Sequence, residues 1–512
     1  MIGKIAKVTL TGEYPIVSTP MGRLHGYKDD GVFGFRGIKY ANAARFEAPT
    51  PVEPWEGVKD ALDYGYVSPL IFKVEPDATF SGPHRFWPEH EDCQYLNVWT
   101  STMDAGRKLP VMVWLHGGGF TSGSSVEMYT YEGISLARTE DVVVVTVNHR
   151  LNILGYLDLS AYGEKYQYSG YVGILDIVEA LKWVQTNISS FGGDPDNVTI
   201  FGQSGGGAKV ASLMQMPETK GLYHKAIIQS GVPNFMPGKA PEGERLGAKK
   251  IVEALGLDAD TIDQIQNVPF NQLAEIALKA WPEKGFGWSP VPDGIRLLPY
   301  AQICEETVDI PMIVGSNISE FSLNAPDGDR QQWTRDEKKA MLRKRFGDDT
   351  DAVVACFEAT YPGRDIINVF AVDDMVRRKT LEFCAMRAAR ATAPVYNYLF
   401  TYEFPYRGGR FAWHCAEIPF IFKNTHMDDV TRSGGIDAVI MENSMSSAWM
   451  AFARTGRPQS RFLPHWPEFS ADTKPTMLFD TYCEVKYGFD DDLTEMLSHY
   501  PPFSLTRMGA RN

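Results

Sequence analysis

Apolar and polar positions alternate in blocks along this chain, and the blocks change period. Between residues 5 and 40 the pattern is short and broken by turns, as in KVTL and GRLHGYKDDGVFGFRGIKY. Both read as short strands with tight connections. Two runs then lose their polar positions altogether: KLPVMVWLHGGGF and DVVVVTVNHR. Unbroken β-branched and aliphatic runs of this length suit strands buried on both faces, as in a parallel sheet. In IVEALKWVQTNISSFGG the period shifts, with Ile177, Ala180, Leu181, Val184 and Ile188 recurring at helical spacing. NVTIF, KAIIQSG and IPMIVGSN return to strand character. From about 325 to 395 helical patterns dominate, as in RDEKKAMLRKRF and MVRRKTLEFCAMRAARA. VYNYLFTYEF is again a strand, and SSAWMAFARTG is a last amphipathic helix stopped by Gly456 and Pro458. Strands alternating with helices predict an α/β fold with a mostly parallel central sheet and helices on both faces. We read residues 1–512 as a single domain with a helical excursion late in the chain.

The strand NVTIF ends in Gly202-Gln203-Ser204-Gly205-Gly206. A strand that passes at once into a helix needs a tight corner, and the corner residue is held outward in an unfavourable backbone conformation. Its neighbours two positions away must be small to avoid collision, which is the physical content of G-x-S-x-G. A glycine-rich turn with an incidental serine explains the pentapeptide alone. The strand before it and the helix after it favour Ser204 as a nucleophile.

A serine hydroxyl needs a base, an acid to orient the base, and donors for an oxyanion. On such a corner the chain order is serine, then Asp or Glu, then histidine. Of ten histidines, His224, His414, His426, His465 and His499 follow Ser204. His224 leaves no room for an intervening acid, His426 lies in the polar KNTHMDD, and His465 lies in the turn LPHWPEF. His414 follows a strand and a glycine turn, where the base belongs. Glu320 follows the strand IPMIV, whereas Asp309 precedes it and lies at the wrong end. A lone surface glutamate or packed histidine would be the ordinary reading of either residue; their order favours catalysis. His116-Gly117-Gly118-Gly119-Phe120 follows an earlier strand, and bare glycine amides suit an oxyanion. A phosphate loop is disfavoured because no Gly-Lys-Ser/Thr follows.

Composition narrows the partners. The formal charge of −14 disfavours nucleic acid and anionic membrane. The longest aliphatic run is far too short to span a bilayer, and MIGKIAKVTLTGEYPIVSTP has no continuous apolar segment of the secretory kind. Six cysteines, Cys93, Cys304, Cys356, Cys384, Cys415 and Cys483, are scattered without C-x-x-C spacing. They read as free thiols, and no metal site or cofactor is expected.

The segments FGGDPDNVTIFGQSGG, EDCQYLNVW, WLHGGGF, NHRLNILGYL, GSNISEF, FAWHCAEIPFIF and AWMAFARTGRPQ are spread over nearly the whole chain. Together they resemble the type-B carboxylesterases, which include cholinesterases and bacterial p-nitrobenzyl esterases. The resemblance implies an α/β-hydrolase fold with Ser204 as nucleophile, Glu320 as acid and His414 as base. It implies oxyanion donors at Gly118, Gly119 and Gly205, and a small-molecule ester as substrate. The chain departs from the family pattern where Gln203-Ser204-Gly205 replaces Glu-Ser-Ala. The missing glutamate removes a negative charge that would favour cationic substrates. Cys93 is the first cysteine, so the loop bridge of secreted members has no upstream partner, which points to a cytoplasmic protein. Phe86 and Trp87 are candidates for the entrance of the site, and Phe286 and Trp288 for the acyl pocket. Two other readings stay open: a non-catalytic adhesion or scaffold protein on the same fold, and hydrolysis of amides, thioesters or carbonates by the same residues.

Overall fold

The structure is a computed structural model that describes residues 14–71, 84–232, 241–284, 287–321 and 330–500. The chain divides into two compact units. Of the described residues, the first comprises 14–71, 84–227 and those of 241–310, and the second comprises 228–232, 311–321 and 330–500.

In the first unit the early broken pattern becomes β1 (Ile16–Thr19), β2 (Gly22–His25), β3 (Tyr27–Asp29) and β4 (Val32–Lys39). The KVTL segment lies outside the described residues. β1 pairs antiparallel with β2, while β3 and β4 join the main sheet at its edge. The main ladder continues through β5 (Tyr95–Thr100), β6 (Leu109–Leu115), β7 (Val143–Val147) and β8 (Gly193–Gln203). Its spatial order is β8-β6-β7-β5-β4-β3. β7 and β8 both run parallel to β6. β5 runs antiparallel to β7, and β4 antiparallel to β5. Every residue of β6 and β7 is buried, as two-sided burial of their unbroken apolar runs requires.

The strand register brings two loop starts together. Gly202 pairs with Leu115, so the parallel strands β8 and β6 end side by side at one edge. The chain continues there into Ser204 from β8 and into the glycine loop from β6. β8 starts at Gly193, earlier than its apolar core, and its register shifts between Gly193 and Val198. The helical period before it forms α1 (Val172–Asn187) and a 3-10 turn, Ile188–Phe191, ended by Gly192 at φ 75°. The helix starts before the periodic stretch because Val172, Ile174 and Leu175 are buried too. Strand β9 (Lys225–Gln229) is buried throughout, and the boundary between the units falls within it.

In the second unit β10 (Met312–Asn317), β11 (Val395–Phe400) and β12 (Pro475–Phe479) are parallel, and β13 (Glu484–Tyr487) pairs antiparallel with β12. Asn317 pairs with Phe400, so β10 and β11 also end level with each other. The late helical stretch is α2 (Arg335–Phe346), α3 (Thr350–Thr360) and α4 (Met375–Ala388). A capping box opens α2: the Thr334 hydroxyl accepts from the Glu337 N–H, and the Glu337 carboxylate accepts from the Thr334 N–H. The last amphipathic helix, α5, runs from Ile436 to Thr455, longer than its sequence pattern suggests. Its first turns expose Ile436, Val439 and Ile440, so the apolar period there does not mark a buried face. Gly456, at φ 75°, caps it.

Candidate active site

Ser204 sits at the corner between β8 and the helix Gly205–Leu213, at φ 57° and ψ −124°. A side-chain-bearing residue in that region costs about 1–3 kcal/mol, and the surroundings must impose it. Here they do so by exclusion. A Cβ on Gly206 would overlap the Leu115 carbonyl oxygen, and one on Gly202 would overlap Gly206. Only backbone without side chains lets the helix start this close to the ends of β8 and β6. Gly202, Gln203 and Gly205 are buried, while Ser204 keeps partial exposure. The Ser204 carbonyl accepts from the Ala208 N–H at 3.0 Å, so the helix begins at Ser204 itself.

The second glycine stretch follows β6. Gly118 and Gly119 both take positive φ, 82° and 63°, open to glycine at little cost. Gly118 O accepts from Ser122 N at 3.0 Å, and Phe120 O from Asn152 N at 2.7 Å. A Cβ on Gly117 would lie 3.6 Å from the Ser204 Cβ and 3.5 Å from Gln203 Oε1. A Cβ on Gly205 would overlap the Gly119 backbone. The glycine loop and the serine corner therefore touch backbone to backbone. Gly118, Gly119 and Gly205, the three expected donors, lie together at this contact.

In the second unit, Glu320 and His414 meet. His414 Nδ1 lies 2.5 Å from Glu320 Oε2, and both side chains are buried. The pairing is set by backbone as well, since His414 N donates to Glu320 O at 2.8 Å and Ser319 N to Ala412 O at 3.0 Å. The other Glu320 oxygen, Oε1, accepts from Asn317 N at 2.8 Å. Asn317 Nδ2 donates to Trp413 O and to Glu417 Oε2, each at 2.6 Å, and Gln229 Nε2 reaches Glu417 Oε1 at 3.2 Å. Burial pushes the Glu417 carboxyl above its ordinary range, opposed by the Asn317 hydrogen bond. Burial and then the Glu320 charge push Asp373 up as well. Asp373 Oδ2 accepts from Val376 N and Arg377 N at the start of α4. Glu320 and Cys415 take positive φ, 31° and 74°, so this loop too departs from relaxed geometry.

The four expected lining aromatics fare differently. Phe86 is 78% exposed, whereas Trp87 packs edge-on against Tyr64 and donates to its carbonyl at 3.3 Å. Trp288 is buried against Trp281 with the Lys284 ammonium 5.1 Å from its ring centre. Phe286 lies outside the described residues. His426 and His465, set aside as bases, are exposed.

Asn317, Glu417 and Lys209 escaped the reading of the sequence. Asn317 and Glu417 carry no local signal, because their partners are distant in sequence. Lys209 had one: a lone charge in the apolar helix GGGAKVASLM. Its side chain is fully buried, and Nζ donates to the His116 carbonyl at 2.9 Å. Burial pulls its ammonium down to about 7, opposed by the charge of Glu127. Burial raises Glu127 to about 7 in turn. Burial also holds His116 and His149 well below the ordinary histidine range.

Cys93, Cys304 and Cys384 are buried free thiols. Among the described residues no group of His, Cys, Asp and Glu has the arrangement of a metal site, and no helix is long and apolar enough to cross a membrane.

Residues 13–493 match the sequence profile of the carboxylesterase family. The para-nitrobenzyl esterase of Bacillus subtilis (strain 168) is 34% identical over 92% of this chain and 96% of its own. The phenmedipham hydrolase of Pseudarthrobacter oxydans is 34% identical over 90% and 93%. A solved esterase from the anaerobe Clostridium hathewayi, described as able to hydrolyse aliphatic aromatic polyesters, superposes with a TM-score of 0.91 at 42% identity. That match covers 96% of this chain and 99% of the other.

Proposed function

The chain belongs to the carboxylesterase family, has the α/β-hydrolase fold and is a carboxylic ester hydrolase; from that premise we propose that it works as a serine esterase on neutral esters. The observation that carries the reading is the backbone of Ser204, held at φ 57° between glycines and beside a glycine loop. Strain of this kind gathers at functional positions. The hydrogen bond from His414 to Glu320 supports it from the other side of the mechanism.

In this mechanism the whole chain acts as one hydrolase domain. Ser204 Oγ attacks the ester carbonyl carbon, and His414 Nε2 takes the hydroxyl proton. Glu320 holds the imidazole in the tautomer protonated at Nδ1, so that Nε2 is the accepting nitrogen, and stabilises the imidazolium that forms. The carbonyl oxygen becomes an oxyanion on the N–H groups of Gly118, Gly119 and Gly205. The tetrahedral species collapses, the alcohol leaves with the proton from His414, and Ser204 carries the acyl group. Water, deprotonated by His414, then attacks the acyl carbon; the acid departs and Ser204 regains its proton. No step calls for a metal or cofactor. The small-molecule substrate, the cytoplasmic setting and the absence of a nucleic-acid partner belong to the same proposal.

Gln203 places no charge beside the nucleophile, so choline esters gain nothing over neutral ones. Trp288 supports a preference for short to medium acyl chains only weakly, because its ring is already packed on Trp281. Selectivity by acyl length is expected to be graded, at about 1–3 kcal/mol per methylene at most. One panel tests the reading: p-nitrophenyl esters from acetate to palmitate, butyrylthiocholine and an anilide, compared by kcat/KM, with a fluorophosphonate to label the nucleophile. We expect neutral short and medium esters to lead and the label to sit on Ser204. A lead for the choline ester or for palmitate would refute the substrate class. Absence of both turnover and labelling would leave a non-catalytic scaffold.

A further inference from the structure

Three consecutive glycines are a poor way to hold a preorganised donor set. Without side chains, Gly117, Gly118 and Gly119 cannot be fixed by packing, and each has more backbone freedom to lose than any other residue. Yet oxyanion donors act only if they are already aimed. The far end of the loop is anchored by main-chain and hydroxyl bonds. Ser122 N and Oγ both donate to Gly118 O, and Asn152 N donates to Phe120 O. The near end is anchored differently. His116, the last residue before the glycines, has its carbonyl oxygen bonded by Lys209 Nζ at 2.9 Å. Lys209 lies in the first turns of the helix that starts at Ser204, and its side chain is wholly buried. Its Nζ also stands 5.9 Å from the centre of the Phe120 ring, just beyond the glycines. Placing an amine in this interior is costly unless it is bonded, and burial indeed pulls its ammonium down to about 7. A plain aliphatic side chain would fill the same space without that cost. At the other side of the contact, a Cβ on residue 205 would overlap Gly119 N, Cα and O. The loop thus approaches the nucleophile's own backbone more closely than alanine permits.

We propose that Lys209 is a positioning residue for the oxyanion hole: it pins the loop Gly117–Gly119, through the His116 carbonyl, against the bare backbone of Gly205. The nucleophile and its oxyanion donors are then set by one helix, since Ser204 starts that helix and Lys209 projects from it. Gly205 and Lys209 form two parts of one device: the first removes the obstacle and the second closes the gap. The inference rests on the serine-esterase reading of the site.

Lys209→Met keeps the aliphatic stem and removes the donor. With active sites counted by fluorophosphonate, we expect kcat to fall about 10- to 100-fold and KM to stay within about twofold, since small misplacement of a donor acts on the transition state. Affinity for a trifluoromethyl ketone, whose adduct places an oxyanion in the hole, should fall by the same factor. Wild-type kcat per labelled serine in Lys209→Met would overturn the inference, even with a lowered Tm. Should Lys209→Met not fold, Gly205→Ala decides. Alanine there must displace the pinned loop, so kcat should fall by about tenfold or more at unchanged KM, and full activity would overturn the inference. Failure of the underlying reading shows separately, as wild-type protein that neither turns over esters nor takes the label on Ser204.

Discussion

At Ser204 the chain holds its side chain by strain and exclusion: φ is 57°, and there is no room for a Cβ at Gly202, Gly205 or Gly206. At Glu320 and His414 it works by saturation with hydrogen bonds. Both Glu320 oxygens are bonded, and the backbone of one loop is laddered to the other from Ser319–Ala412 to Glu320–His414. The difference matches the tasks we propose for these residues. A nucleophile must be presented to substrate, so its neighbours are cut back. An acid and base must stay in one tautomer and orientation while buried, so their polar atoms are tied to partners.

The comparison is broken most directly at the atoms we propose to react. Ser204→Ala should lower kcat by on the order of 10⁴ or more, and His414→Ala by about as much, with the double variant no worse than either, because the two act as a unit. Steady-state kinetics on the three proteins check this; additive losses would separate the two residues. Glu320→Gln keeps the shape of the carboxyl but offers the imidazole the wrong partner. We expect kcat to fall by about 10²–10⁴, with an unchanged far-ultraviolet spectrum. Wild-type activity in this variant would remove Glu320 from the mechanism.

Gly206→Ala tests the exclusion side. Its Cβ has no space beside the Leu115 carbonyl, so the corner must open or the strand ends must part. Overpacking of this kind costs about 1–3 kcal/mol. A lowered Tm together with slow labelling of Ser204 is expected; an unchanged melt would show that the corner tolerates bulk.

The smallest effect is a slope. Lys209 is lowered to about 7 in the folded protein from an ordinary 10.5. Between these values the unfolded chain binds more protons than the folded one, so this group makes stability rise with pH over that range. Below about 7 its penalty is full, and above about 10.5 it is gone. Wild type should therefore gain stability relative to Lys209→Met as pH increases from about 7 to about 10, read from urea midpoints. A constant difference would mean that the lysine is not desolvated.

Legibility followed the same division. G-x-S-x-G, the glycine triplet and the strand before each are contiguous in sequence, so the strained serine corner was readable. Glu320 and His414 were placed by chain order, by their positions after strands and by the family resemblance; their hydrogen bond itself carries no sequence signal, because 94 residues separate them. Asn317 and Glu417 were invisible for that reason. Helix α5 was read short, since its exposed Ile436, Val439 and Ile440 blur the buried stripe. The aromatics were the least readable: nothing local distinguishes Trp288, packed on Trp281, from a ring that lines a pocket.

The sequence by itself determined the strands buried on two faces, the corner at Ser204, the candidate acid and base, and the family to which the chain belongs. These are properties of neighbouring residues, or of their order, and short-range sterics and apolar periodicity are enough to specify them. Only the tertiary structure decided that Gly202 stands level with Leu115, that Glu417 is bonded to Asn317, and that Lys209 reaches the carbonyl of His116. Those facts depend on strand register and on burial, where an unpaired polar group is penalised and must find a partner wherever the fold brings one.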